Sequence, residues 1–343
     1  MPKLISSSEP QKTIGFVAGG IGDQLYHFTQ LEHLAQTGVA GKLDLVCMHN
    51  RPMRELASGC AWIGDVIDAQ PFRHLARPAA FLTACKSLKE RGYDRAVIFH
   101  RSTSFKLAAR LAGIPLRIGL SSGGIDNLLL NAPVALSGGG GRRQRWGHRP
   151  FIAALDQYFA PSGLSYSGPS PIQASPVKQA EVQARFGEFP RPWTIVNLFV
   201  GDALRRWPPA HAQQMIRTCY DRFGGTVFLN TGPDALDWHD QLASLWSGPP
   251  QAFVHLLPDE APIPFMIALY RQADLYLGVD SFTANLALNC DLPAVILFNK
   301  ASDSLTYRGR SYPLAPAADK PLDSLTEDDF QTVFSHFDKD RQT

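Results

Sequence analysis

The chain has 343 residues, of which 45% are hydrophobic and 19% charged, with a formal net charge of +2. That length suits about two domains, and the composition is that of a globular protein able to build sizeable cores. The near-neutral balance excludes bulk electrostatic attraction to nucleic acid, so any basic surface must be local. The five cysteines (Cys47, Cys60, Cys85, Cys219, Cys290) are scattered without a C-x-x-C pair, which fits a reducing compartment better than a disulfide framework or zinc site. No run approaches the roughly 18 apolar residues of a membrane-spanning helix. The opening MPKLISSSEPQKT lacks the apolar core of a signal peptide, so residues 1–12 read as a flexible polar tail and the protein as cytoplasmic.

In chain order, TIGFVAG (13–19) reads as a buried strand and QLYHFTQLEHLAQ (24–36) carries apolar residues at helical spacing. KLDLVCM (42–48), RAVIFH (95–100) and LRIGL (116–120) read as further strands. SFKLAARLAG (104–113) is a helix closed by glycine. From Ser121 to about Ser175 the pattern breaks: a glycine run at 137–141, the basic loop RRQRWGHR (142–149), a helix at 151–160 and a Ser/Pro-rich stretch. An interdomain region is expected from about Ser162 to Pro192.

The alternation then restarts. Strands are expected at 193–200, 225–230, 253–257, 274–279 and 293–298. Helices are expected near 209–222, 234–246, 265–273, 282–290 and 326–337. Strand–helix alternation implies parallel sheets covered on both faces. The expected architecture is α/β, with two doubly wound, Rossmann-like domains (13–175 and 176–325) facing across a cleft, then a C-terminal helix and tail (326–343). Ligands of such sheets sit beyond the carboxyl ends of the strands, which directs attention to the loops there.

After the first strand, Gly19, Gly20, Ile21, Gly22 and Asp23 fall short of G-x-G-x-x-G, because Leu25 takes the third glycine's place. Asp23 would also repel a pyrophosphate at that turn, so a nicotinamide-dependent dehydrogenase is disfavoured. Asp23 either caps the helix, where an acid is favourable, or is presented as a general base, kept ionised by the helix N-terminus. In the second half, Arg205–Arg206 before Trp207–Pro208–Pro209 offers a guanidinium fork to phosphate oxygens or is a solvated surface pair. Asp280, Ser281 and Thr283 follow a strand and open a helix whose free N–H groups suit an anion; ordinary capping by Asp280 or Ser281 is the alternative. Asn230, Thr231 and Gly232 close another strand, where the glycine admits a flat nucleotide base.

Taken in order, these motifs resemble the heptosyltransferase family of inverting glycosyltransferases (glycosyltransferase family 9), which have the GT-B fold. The resemblance runs from about Thr13 to Ser304. It rests on G-x-G-D (Gly20, Gly22, Asp23), FKLAARLAGIPLRIGL (105–120), RRWP (205–208) and GVDS (278–281). It implies an acceptor-binding first domain and a second domain that binds an ADP-activated sugar, typically a heptose. It further implies that Asp23 is the base, that Arg206 faces the diphosphate, and that Asp280 and Ser281 belong to the donor loop. Phe282 stands where the family usually has glycine and Asn285 where it has histidine, while FHRSTSF (99–105) replaces an acidic, glutamine-glycine run.

The resulting expectation is a metal-independent inverting transferase with a nucleotide-sugar co-substrate and no cofactor. Its acceptor is an anionic saccharide or glycolipid such as a lipopolysaccharide core, with peripheral contact at the inner membrane. Arg142, Arg143, Arg145 and His148 either grip that acceptor or form a solvated loop. Asp338–Lys339–Asp340 is a tail sequence rather than a metal-binding D-x-D, and His27 is a packing or surface residue. A different nucleotide sugar, or a catalytically inactive nucleotide-sugar-binding or scaffold protein, are the alternatives.

Overall fold

A computed structural model describes residues 9–73, 75–121, 123–135, 157, 171–199, 207–230, 232, 236–299, 309–317 and 320–341. The chain divides into two compact units, Met1–Ser170 and Pro171–Thr343. The basic loop at Arg142, Arg143, Arg145 and His148, the helix expected at 151–160 save residue 157, and Arg205, Arg206 and Thr231 lie outside the described residues.

The first unit is a six-stranded parallel sheet in the order β3-β2-β1-β4-β5-β6. Its strands are β1 (Gln11–Phe16), β2 (Gly38–Cys47), β3 (Ile63–Asp68), β4 (Arg95–Ile98), β5 (Leu116–Ser121) and β6 (Ala132–Ala135). The central pair aligns Thr13 with Arg95 and Phe16 with Ile98. Between the strands run α1 (Ile21–Leu25), α2 (Phe28–Gln36), α3 (Asn50–Ala57), α4 (Gln70–Arg73), α5 (Pro78–Arg91), α6 (Thr103–Leu111) and α7 (Ile125–Leu129). The rings of Phe16, Phe72 and Phe105 meet in the core over one face. β1 begins at Gln11, inside the stretch expected as tail.

The second unit repeats the design, in the order β12-β11-β10-β7-β8-β9. Its strands are β7 (Trp193–Asn197), β8 (Thr226–Asn230), β9 (Phe253–Leu256), β10 (Leu275–Val279), β11 (Ala294–Leu297) and β12 (Ser311–Leu314). The helices are α8 (Pro176–Phe186), α9 (Pro209–Phe223), α10 (Leu236–Ser244), α11 (Ile263–Gln272), α12 (Phe282–Asn289) and α13 (Glu327–Arg341). α8 occupies part of the stretch read as interdomain. It starts at a Ser175 cap that accepts the Lys178 N–H and packs Phe186 against Phe228 and Phe265. α13 belongs to this unit: Arg222 on α9 donates to Asp338, Ser335 and Gln331, and Phe223 packs on Phe334 and Phe337. Asp338, read from sequence as part of a solvated tail, is thus an ion-pair partner on a docked helix.

Both sheets have the Rossmann strand order, in which the winding reverses at one place. That place lies between β1 and β4 in the first unit and between β7 and β10 in the second. Crevices beyond such reversals are where ligands of doubly wound sheets bind.

Candidate functional site

At the first reversal, β1 runs into Val17, Ala18 and a turn at Gly19 and Gly20 that starts α1. Gly19 has φ +101°, and a Cβ there would stand 2.7 Å from Asp23 Oδ2, so only glycine fits. Asp23 is half-buried, and its Oδ2 accepts the Gly20 N–H at 2.8 Å, the one half of a capping box that a glycine N-cap allows. The capping contact expected of Asp23 is therefore made, and it also orients the carboxylate.

Beneath the turn lies a residue that sequence reasoning passed over. Gln24 is fully buried, and its Nε2 is 3.3 Å from Met48 O, 3.4 Å from Gly20 O and 3.5 Å from Gly19 O. Its Oε1 is buried without a hydrogen-bond partner. The amide thereby ties the glycine turn to the end of β2. His27 is buried as well: Nδ1 pairs with Gln30 Oε1 at 3.1 Å and the ring packs 4.9 Å from Phe99, in line with a packing role. No alternation or motif marks these polar residues as core; a run of them inside an apolar helix pattern is the one available hint.

The loop after β4 sits beside the β1 turn, since the Phe99 N–H donates to Phe16 O at 2.9 Å. His100 Nδ1 accepts the Ser102 N–H at 3.1 Å, and burial draws the Arg101 pKa down. Behind this loop, Lys106 Nζ lies 2.8 Å from Asp126 Oδ2 and 3.3 Å from Arg101 O. Those two side chains are only 1% and 4% exposed. Burial lowers the Lys106 pKa, and the hydrogen bond and charge of Asp126 oppose that. The pair joins α6 to α7 and fixes the carbonyl of Arg101.

At the second reversal, β10 leads into Asp280, whose N–H donates to Leu297 O at 3.0 Å, and Ser281, the N-cap of α12. The Ser281 side chain makes no cap hydrogen bond. Its Oγ pairs instead with Thr283 Oγ1 at 2.9 Å, and Thr283 in turn with buried Tyr276 Oη at 2.8 Å. Gly278 is required here, because a Cβ would collide with the Tyr276 hydroxyl. Burial holds the Tyr276 pKa above its ordinary value, so the phenol stays protonated and the hydroxyl chain stays neutral. Asn285 is buried and donates through Nδ2 to Ser281 O at 3.0 Å, bracing the cap. Phe282, half-buried, occupies the first turn of α12.

Around this loop stand the flanks of two others. Asn230 ends β8 with its side chain turned into the core, donating to Tyr270 Oη at 2.9 Å, while its carbonyl accepts from Asn197 Nδ2 at 3.1 Å. That leaves Gly232, with open space where a side chain would point, as the described part of this turn a flat ligand could approach. Trp207 is 1% exposed and leads into Pro208 and α9.

Among the described residues, no group of three or more His, Cys, Asp or Glu side chains is placed to hold a metal ion. Burial raises the thiol pKa of Cys47 and Cys219 to about 12 and of Cys85 to about 11, so none is a ready nucleophile. No described helix is long and apolar enough to cross a membrane.

Two parallel six-stranded sheets in separate units, each wound in Rossmann order, define a GT-B-type fold. Within that class the chain is similar to solved glycosyltransferases. A glycosyl transferase family 9 structure from Veillonella parvula matches with TM-score 0.76 at 13% identity, over 96% of this chain and 98% of that one. E. coli ADP-heptose LPS heptosyltransferase II matches with TM-score 0.74 at 19% identity, over 97% and 100%. E. coli heptosyltransferase WaaC with ADP matches with TM-score 0.69 at 15% identity, over 95% and 99%. At these identities the likeness establishes the fold. By sequence, no protein-family profile matches the chain, nor does any curated protein.

Proposed function

We propose that the protein is a metal-independent inverting glycosyltransferase that moves a heptose-like sugar from an ADP-sugar to a saccharide acceptor such as a lipopolysaccharide core. One observation carries the reading. In a chain that shares its fold along nearly its full length with family 9 transferases, Asp23 and the Asp280–Ser281 loop each stand at the winding reversal of their own sheet. The choice of donor class draws on the fold's relatives, one of which is seen with ADP and with ADP-2-deoxy-2-fluoro heptose.

Asp23 takes the proton of an acceptor hydroxyl as the oxygen attacks the anomeric carbon, and the bond to the diphosphate breaks with inversion. The main-chain N–H groups at the start of α12, with Arg205 or Arg206, receive the charge that develops on the diphosphate. Thr231 and Gly232 line the nucleotide base, and Asn230, its side chain committed to Tyr270, holds the turn from within the core. Arg142, Arg143, Arg145 and His148 hold an anionic acceptor, and the protein works at the cytoplasmic face of the inner membrane.

The second reading, an inactive nucleotide-sugar-binding protein, draws on Asn285. Where the family has histidine, this residue is buried and committed to Ser281 O. Purified protein incubated with ADP-heptose and a truncated lipopolysaccharide acceptor separates the two. Transfer by the wild type, lost in Asp23→Asn while ADP affinity is retained, is the expected outcome. Transfer that persists in Asp23→Asn would remove the base from this account.

A further inference from the structure

Asp23 sits in a turn that does little to hold itself in place. α1 is five residues long, and a helix of barely more than one turn has no cooperative stability of its own. The bond from the Gly20 N–H to Asp23 closes inside that turn, so it travels with the turn and cannot anchor it. Gly19 and Gly20 are both exposed, and glycine restrains the backbone least. The residue after Asp23 is the one that reaches out. The Gln24 amide meets Met48 O, just past the end of β2, as well as Gly19 O and Gly20 O. The Gln24 main-chain N–H also donates to Gly20 O, at 3.2 Å. The Gly20 residue thus has Asp23 on its N–H and Gln24 on its carbonyl.

Stability does not account for this amide. Its two N–H protons are shared among three carbonyls at 3.3, 3.4 and 3.5 Å, which is long for N–H···O bonds. Its Oε1 is buried with no hydrogen-bond partner among the described residues. Leaving a buried amide oxygen unspent costs at least as much as one well-made hydrogen bond returns. An apolar side chain of the same length, such as methionine, would fill the space without that cost. We propose that Gln24 is the positioning residue of the base: its amide pins the Gly19–Gly20 turn to the end of β2 and so fixes where the Asp23 carboxylate meets the acceptor hydroxyl. This rests on the reading of Asp23 as the base. Gln24 touches no substrate in it and acts through the turn.

Gln24→Met keeps the length and bulk of the side chain and deletes the amide. The test measures transfer from ADP-heptose to a truncated lipopolysaccharide acceptor by the full-length wild type, Gln24→Met and Asp23→Asn. Each is assayed well below its melting temperature, so that lost stability cannot pass for lost turnover. A carboxylate that wanders from its attacking position should cost Gln24→Met about ten- to a hundredfold in kcat. KM for both substrates and the calorimetric affinity for ADP should stay at the wild-type values. The melting temperature should move by no more than about 4 °C, because the lost contacts and the relieved amide oxygen offset each other. Gln24→Leu, which also lacks the amide, should behave alike and serves if Gln24→Met melts too low to assay.

A glutamine that is only structural would give the reverse pattern, a much lower melting temperature with wild-type kcat, and that result overturns the proposal. So does a kcat that matches the wild type with stability unchanged, or a loss of ADP affinity equal to the loss of kcat. These outcomes leave Asp23 as the base. If Asp23→Asn transfers as the wild type does, or the wild type transfers nothing, the reading of the base fails and the role of Gln24 fails with it.

Discussion

The buried pair of Lys106 and Asp126 makes a sharp stability test, because each charge is tolerated only in the presence of the other. The two side chains are 1% and 4% exposed with 2.8 Å between Nζ and Oδ2. Desolvation opposes either charge there by several kcal/mol, roughly balanced by their mutual attraction, so the pair as a whole contributes little. Asp126→Asn leaves the ammonium buried without its counter-charge and should destabilise the first unit by about 3–5 kcal/mol; Lys106→Met should do the same from the other side. The double change Lys106→Met with Asp126→Leu removes both charges and should return stability close to the wild type or above it. For a unit of Met1–Ser170, a single variant should lower the melting transition by roughly 6–20 °C. Scanning calorimetry on the full chain, supported by urea titration followed by circular dichroism, reads this directly. Additive losses, with the double variant melting at the sum of the two single shifts, would refute the reasoning. So would single variants that melt like the wild type.

Gly19→Ala forces a side chain into a left-handed conformation and against Asp23 Oδ2, so transfer should fall at least tenfold while ADP affinity, measured calorimetrically, stays put; a strained backbone residue of this kind costs about 1–3 kcal/mol. Acid should destabilise the fold in a defined window. The hydrogen bond from Arg91, chiefly, holds Asp65 below the ordinary carboxylate range, and the Thr326 N–H does so for Asp329. A carboxyl whose folded pKa is depressed contributes stability that is complete above its unfolded value, near pH 4, and is lost as pH falls through the folded value. Melting temperatures should therefore drop below about pH 4, and Asp65→Asn should flatten that slope; an unchanged slope would remove Asp65 from the explanation.

Much of the architecture was legible because buried parallel strands leave continuous apolar runs, as TIGFV, TIVNL and LYLGV do. The strands that escaped notice are three outermost ones. β3 (IGDVID) alternates with acids, and β6 (APVA) and β12 (SYPL) contain proline. Edge strands tolerate both, because one side of the ladder needs no partner. α8 was hidden inside a Pro/Ser-rich stretch: only Val182 and Phe186 of it are buried, too few for a clear amphipathic pattern.

Of the candidate site, Asp23 and the Asp280–Ser281 loop were readable because turn chemistry is local: glycine, an acid and a hydroxyl at fixed offsets from a strand end. What supports them was not. Gln24 is polar in a core position, Lys106 meets a carboxylate twenty residues away, and the Trp238 indole N–H donates to the Trp207 carbonyl. Each contact exists only once the sheet has brought distant segments together, and no periodicity announces it.

The central claim assigns the nucleophile's base to the first unit and the departing diphosphate to the second. A crystal structure with ADP bound tests this most directly. The phosphates should lie at the start of α12, within hydrogen-bond reach of the main-chain N–H groups of residues 281–283, with the Asp23 carboxylate still on Gly20. Phosphates lodged instead on the glycine turn between Gly19 and Asp23 would contradict it.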